Sequence, residues 1–388
     1  MGKFIITIDT EGDNIWNGPR ETTTRNATYL PRFQDLCERH GLKPTYLVNH
    51  EMAVSPAFVE FGRDVLARGQ GEIGMHLHAW DSPPSVPLTE DDHKYKPYLV
   101  EYPVEVMRAK IDYMTKLLQD VFDTPITSHR AGRWAMNETY AGILIEQGYL
   151  VDCSVTPHVD WRGTPGNPAG DGGTNYQGYP GAPYFVDPAD LSRPGQSPLL
   201  EVPMSVSKHL PLALRDLFDG YLQQGGLPVR LLNRMLKNHW LRPNGRNGAD
   251  MVSLVRSEAA AGAAHVEFML HSSEFMPGGS PTFRDAAAIE RLYADIDAVF
   301  AEGAALFEGA TLAEFRSGFA TAVQPVPDPI EAMASGGNVA VFDPKSSGPQ
   351  QYPLSQTPLS IILDANVNLG RANMVTAHTE SKNATVVT

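Results

Sequence analysis

The sequence predicts an α/β protein built on a parallel sheet, either closed into a barrel or left open and doubly wound. Three observations carry this. Short apolar runs alternate with amphipathic stretches over residues 1–160, and strand, helix, strand, helix in that rhythm is the signature of right-handed crossovers. Ionisable residues recur at the downstream ends of the apolar runs, where parallel α/β folds build their sites. No Gly-rich phosphate loop follows the first run, which weakens the nucleotide-binding version of an open sheet.

Taken in order, "FIITI" (4–8) reads as a strand and "YLPRFQDLCERHG" (29–41) as a helix stopped by Gly41. "PTYLVN" (44–49) is a strand. "SPAFVEFGRDVLARG" (55–69) is a helix with Ser55 as N-cap, Pro56 at the first helical position and Gly69 as the stop. "EIGMH" (72–76) is a strand, and "VEVMRAKIDYMTKLLQDVF" (104–122) is a long helix with apolar positions at i, i+3, i+4 and i+7. "ITSHR" (126–130) is a short strand, "NETYAGILIEQG" (137–148) a helix capped by Asn137, and "YLVDCS" (149–154) a strand. Residues 158–198 are crowded with Gly and Pro and read as an irregular insertion folded over a site or mobile above it. "LLEVPMSV" (199–206) resumes a strand, and 209–262 reads as a helical insertion broken at "RPNGRNG". "HVEFMLH" (265–271) is a strand, followed by helices at 283–303 and 311–319. Residues 322–388 form a poorly patterned extension in which the runs "NVAVF" and "SIILDA" suggest strands.

Composition bounds the function. The 388 residues are 42% hydrophobic and 20% charged, ordinary for a globular chain. A formal net charge of −14 argues against a general nucleic-acid or anionic-membrane binder, without excluding a small basic pocket. Two cysteines, Cys37 and Cys153, do not make a disulfide framework. No segment approaches the roughly 18 apolar residues of a membrane span. The first strand starts at once, leaving no room for a signal peptide, so a cytoplasmic location is expected. Oligomeric state is left open.

The residues at the strand ends are Asp9, Glu11 and Asp13, then His76 and His78, then Arg130, Asp152 and His271. Residues i and i+2 of an extended strand share a face with α-carbons about 6.5–7 Å apart. Two imidazoles so placed can converge on one cation, or can simply hydrogen-bond to loops. In "TIDTEGD" the acids alternate, so Asp9 and Glu11 share a face if the strand continues. One could complete a metal site while another acts as base, or all three could cap a turn. A partly buried Arg130 needs a carboxylate, and Asp9 is the natural partner. His271 has a functional reading as general acid, while His265 and Glu267, earlier on that strand, read as interior polar residues below the site.

Together "TIDTEGD", "EIGMHLHAW", "SHRAGRW", "VDCSVTP" and "FMLHS" resemble the motifs of the NodB-homology polysaccharide deacetylases, the family-four carbohydrate esterases, over about residues 1–320. The resemblance implies a distorted (β/α) barrel, often of seven strands, and metal-dependent removal of acetyl from an N-acetylated sugar. It puts Asp9 on the catalytic base, Arg130 on the arginine that tethers it and His271 on the general acid. Asp152 falls in the motif that lines the substrate groove and orients that acid. Two departures stand out. Thr10 occupies the place where the family carries a second, metal-binding aspartate, so Glu11 becomes the ligand, with Asp13 as the fallback. The histidines, usually four apart, are here His76 and His78. The "HLHxW" form resembles a subgroup tied to surface-polysaccharide synthesis such as O-antigen clusters.

The expected chemistry is therefore a divalent cation, zinc by ligand type, on Glu11, His76 and His78. Asp9, held by Arg130, activates water, and His271 protonates the leaving amine. Trp80, Trp134 and Trp161 are candidate stacking surfaces for a sugar ring, or ordinary packing residues. Rival readings are a non-catalytic barrel that binds carbohydrate or a partner protein, and a metal-independent amide hydrolase. The sequence names neither the sugar nor its carrier.

Overall fold

A computed structural model describes residues 1–17, 21–163, 172–208 and 238–323, and beyond them the strands Val339–Val341, Gln350–Tyr352, Thr376–His378 and Thr385–Val387. The chain divides into two compact units, Met1–Phe319 and Ala320–Thr388. In the second, the run 338–342 does contain a strand, Val339–Val341, paired antiparallel with Gln350–Tyr352. The run 360–365 lies outside the described residues.

The first unit interleaves strands β1 (Lys3–Thr10), β2 (Pro44–Val48), β3 (Glu72–Leu77), β4 (Ser128–Ala131), β5 (Val151–Asp152), β6 (Tyr184–Asp187), β7 (Asp190–Pro194), β8 (Leu200–Glu201), β9 (Val206–Lys208), β10 (Asn238–Trp240), β11 (His265–His271) and β12 (Glu308–Ala310). The main helices are α1 (Leu30–Arg39), α2 (Pro56–Ala67), α3 (Val104–Phe122), α4 (Glu138–Glu146), α5 (Gly248–Ala260), α6 (Ala286–Leu306) and α7 (Leu312–Val323). The sheet runs β11-β1-β2-β3-β4-β5-β8-β6-β7, with β12 paired to β1 off that path. From β11 to β8 every pairing is parallel. The sheet curls into a half-barrel with helices around it, the distorted barrel expected.

Several expectations need correction. The path has nine strands, not seven, because β6 and β7 add an antiparallel hairpin to the parallel row. That hairpin falls inside 158–198, which was expected to be irregular throughout. Tyr184, Val186 and Leu191 are buried and alternate with less buried neighbours, a period-2 signal that the density of Gly and Pro concealed. The run 199–206 splits into β8 and the start of β9, since Pro203 between them has no N–H to give a ladder. Within the expected helical insertion, 209–237 lies outside the described residues, 238–240 is the strand β10 and Gly248–Ala260 is a helix.

Local signals explain the elements that match. Gly41 and Gly69 take positive φ (67° and 64°) where α1 and α2 end. The Asn137 side chain accepts a hydrogen bond from the Tyr140 N–H at 2.9 Å, capping α4. Strand β1 is buried on both faces, as a strand beneath helices must be. Phe4, Ile6 and Ile8 pack into the large core. Ile5 joins a second apolar cluster with Leu47, Val151, Cys153, Leu200, Val202, Leu312 and Phe315. Burying each such side chain contributes ~1.5–3 kcal/mol. Cys37 and Cys153 are buried and unpaired. No helix among the described residues is long and apolar enough to cross a membrane.

Candidate active site

The C-terminal ends of β1, β3, β4 and β11 come together, and parallel register does the positioning. Asp9 is level with His271, and His76 is level with Arg130. The Arg130 guanidinium is fully buried. It donates to Asp9 Oδ1 (2.6 Å) and to Thr7 Oγ1 (2.7 Å), and it also bonds Glu267 Oε1. Its Nε donates to the Cys153 carbonyl at 3.1 Å, and the Trp134 ring lies 4.7 Å from its carbon centre. Arg130 thus serves two carboxylates, not Asp9 alone, and Glu267 is part of the site's foundation. Burial pushes the Asp9 carboxyl up, but Arg130, His76 and His271 outweigh it and hold it below the usual range. For Glu267 burial wins over the shared guanidinium, and its carboxyl is pushed up to about 7.

Above this layer, Glu11 Oε2 lies 3.0 Å from His78 Nε2 and 3.7 Å from His76 Nε2, and the two Nε2 atoms are 3.1 Å apart. His76 Nδ1 donates to the Arg130 carbonyl at 2.9 Å, so its Nε2 is the nitrogen that faces the cluster. These ligand atoms match tetrahedral zinc: donors at ~2.0–2.1 Å from one ion sit ~3.3 Å from each other. Two imidazole nitrogens and a carboxylate oxygen are also zinc's ordinary ligand chemistry. Burial pushes the Glu11 carboxyl up, but His271, His76 and His78 outweigh it and keep it ionised. Burial, with His76 beside it, lowers His78 to about 4, which favours the neutral imidazole a metal needs. Gly132 is required here: a Cβ on it would stand 2.4 Å from the Leu77 carbonyl oxygen and 2.7 Å from His78 Nδ1.

His271 Nε2 lies 3.9 Å from Asp9 Oδ2 and 3.8 Å from Glu11 Oε1. Its Nδ1 is held by Glu274 Oε2 at 2.9 Å, with Arg242 Nη2 3.1 Å from both. Asp152 does not orient it. Val151 and Cys153 face the inner apolar cluster, so strand alternation turns Asp152 the other way. There Asp152 bonds His129 Nδ1 (2.6 Å) and accepts from Ser154, outside the cavity lined by Asp9, Glu11, His76, His78 and His271. Asp13 likewise stays out of the cluster. It bonds Thr23 and accepts from the Arg25 backbone N–H at 2.8 Å, stitching its own loop. Thr10 points away from Asp9 and Glu11 on the strand and donates to the Ile8 carbonyl at 2.9 Å.

A cavity of about 600 Å³ opens over the cluster, lined by Asp9, Glu11, His76, His78 and His271 at its base. All five tryptophans of the chain line it: Trp16, Trp80, Trp134, Trp161 and Trp240. Trp80 lies 4.2 Å from the His78 ring, and Trp16 packs edge-on against His271 at 4.9 Å. Sequence reasoning reached three of the five. Trp16 and Trp240 stand away from the recognised motifs, though a chain with so few tryptophans offered the hint. Glu274 was missed too, and its signal was legible: it is the third residue after His271 in "HSSEF", where its side chain also accepts from the His271 backbone N–H at 3.0 Å.

No family model and no curated protein matches the sequence. Among solved structures, the chain is similar to a protein described as a polysaccharide deacetylase from Mycobacterium smegmatis, with 16% identity, 84% of this chain and 93% of that one covered, and a TM-score of 0.44. The CE4 domain of a multidomain xylanase from the hindgut metagenome of Trinervitermes trinervoides overlaps at 11% identity, 84% and 94% coverage and a TM-score of 0.39. A CE4 family pseudoenzyme from Bacillus anthracis overlaps at 9% identity, 81% and 65% coverage and a TM-score of 0.37. Likeness of this degree does not carry an activity from one chain to another, since one fold hosts many functions.

Proposed function

We propose that the chain is a metal-dependent hydrolase that removes acetyl from an acetamido sugar. One observation carries the reading: a carboxylate oxygen and two imidazole nitrogens lie 3.0–3.7 Å apart, with a second carboxylate and a third histidine within 4 Å, at the base of a tryptophan-lined cavity. Glu11, His76 and His78 would hold the cation. Bound there, a divalent ion such as zinc supplies Lewis acidity toward an amide carbonyl and makes water more acidic. Asp9, kept ionised and fixed by Arg130, takes the proton from water as general base. His271, fixed by Glu274, delivers a proton to the departing amine nitrogen. The products are acetate and a free amino sugar. The tryptophans supply flat apolar faces for the sugar ring and exclude water from the base of the cavity.

A surface-polysaccharide substrate such as an O-antigen precursor belongs to this proposal through the motif resemblance alone, and a cytoplasmic setting is proposed with it. The test is metal analysis of the purified chain followed by acetate release from N-acetylated sugars, with and without a strong chelator. Zinc at one equivalent and chelator-sensitive acetate release are expected. Release that persists without metal would favour the metal-independent hydrolase. Sugar binding without release would favour the non-catalytic barrel.

A further inference from the structure

Resting on the deacetylase reading, we propose that the substrate carries a negative charge, a phosphate or a carboxylate, and that Arg133 recognises it. Arg133 lines the cavity and is half-buried, with its guanidinium carbon 5.3 Å from the Trp80 ring centre and 6.0 Å from that of Tyr98. Among the described residues it has no carboxylate within salt-bridge distance and no hydrogen-bond partner. Stacking on aromatic faces satisfies the plane of a guanidinium and leaves its five N–H donors at the edge, the geometry that takes an oxyanion. Arg242, the other arginine of the cavity, is by contrast committed to His271 and Glu274.

The backbone supports the same reading. Arg133 and Trp134 both lie in the left-handed region, with φ of 54° and 61°. Two consecutive non-glycine residues there are costly, and such strain concentrates where side chains must be aimed. Trp80 separates Arg133 from His78 by two ring contacts, so an anion on Arg133 lies within the reach of one glycosyl unit and its linked group. The acids of the cavity do not cancel this charge. Asp9 is paired with Arg130, Glu11 sits among three histidines, and Asp250 is exposed in the first turn of α5. On a chain of net charge −14, a guanidinium with no carboxylate partner among the described residues is a local exception to the overall field at this wall.

Because the tryptophans of the chain all line this cavity, their fluorescence reports binding directly. The zinc-loaded full chain is titrated with N-acetylglucosamine, N-acetylglucosamine 1-phosphate and N-acetylglucosaminuronic acid. At least one anionic probe should bind tenfold or more tightly than the neutral sugar, and which one does so identifies phosphate or carboxylate as the source. Arg133→Asn, chosen because asparagine tolerates left-handed backbone, should erase the preference and leave neutral-sugar binding unchanged. Arg133→Lys should retain part of it. Equal binding of all three probes by the unmodified chain, a preference that survives Arg133→Asn, or binding of none of the three would overturn the inference. Anion preference without acetate release from any of the three would sink the deacetylase reading and leave the anion site standing.

Discussion

At the scale of single residues, the arrangement around Arg130 separates chemistry from foundation. Asp9 and His271 face the cavity, whereas Arg130 and Glu267 lie beneath it with no exposed surface. Asp9→Asn and His271→Ala are each expected to lower kcat by about 10²–10⁴-fold while zinc content stays at one equivalent. Glu274→Gln keeps the shape but weakens the grip on His271, so kcat should fall about 10- to 100-fold with KM little changed. Steady-state kinetics on a responsive sugar check all three. Glu267 makes a different prediction. Its carboxyl is raised on folding from an ordinary 4.5 to about 7. Between those values the folded chain holds a proton that the unfolded chain has released, so stability falls as pH rises from 4.5 to about 7 and levels off above it. The ceiling on that loss is about 3 kcal/mol. Glu267→Gln removes this contribution, and urea unfolding at pH 5 and pH 7.5 should show a smaller difference than in the parent chain. Identical differences in the two proteins would refute the assignment.

At the scale of elements, the residue that follows β4 packs against the end of β3, beside the Glu11–His76–His78 cluster, with no room for an added atom. Gly132 follows β4 directly, and a Cβ there would collide with the Leu77 carbonyl and with His78 Nδ1. Gly132→Ala must displace the His78 ring or the strand end. Zinc affinity should fall about 10- to 100-fold, the usual effect of disturbing a ligand's support, measured by competition with a fluorescent chelator. Loss of affinity without loss of fold is the diagnostic result, and circular dichroism distinguishes the two. Many of these elements were legible in sequence because periodicity and caps are local: α2, α3, α4 and β11 fall within a few residues of their expected bounds. The hairpin β6–β7 was not, because turn-forming residues dominate its neighbourhood while its pairing partner, β8, lies further along the chain.

For the whole molecule, the inner side of the half-barrel changes character between its apolar cluster and the cavity. The apolar cluster around Ile5, Leu47 and Phe315 is followed by the Arg130–Glu267–Asp9 group, then by the Glu11–His76–His78 cluster, then by the tryptophan-lined cavity. The cation would tie β1 to β3, so its removal should be felt as global stability. At a free zinc level ~1,000-fold above Kd, the bound ion adds about 4 kcal/mol. Chelation should then lower the midpoint of thermal unfolding by roughly 5–10 °C, and restoring zinc should reverse it. A midpoint insensitive to chelator would mean that the three ligands hold no ion.

The sequence by itself determined the order of β1 to β5 and their intervening helices, the burial of those strands and the identity of the residues at their ends, because alternation, helical period and capping are written within a few neighbouring positions. Which of those end residues meet was decided only in three dimensions. Glu11 rather than Asp13 reaches the histidines, Glu274 rather than Asp152 holds His271, and Trp16 and Trp240 join the cavity from outside every recognisable motif. The physical reason is that strand direction, face and register follow from pairing with distant segments, and a side chain one position along a strand points to the opposite side of the sheet.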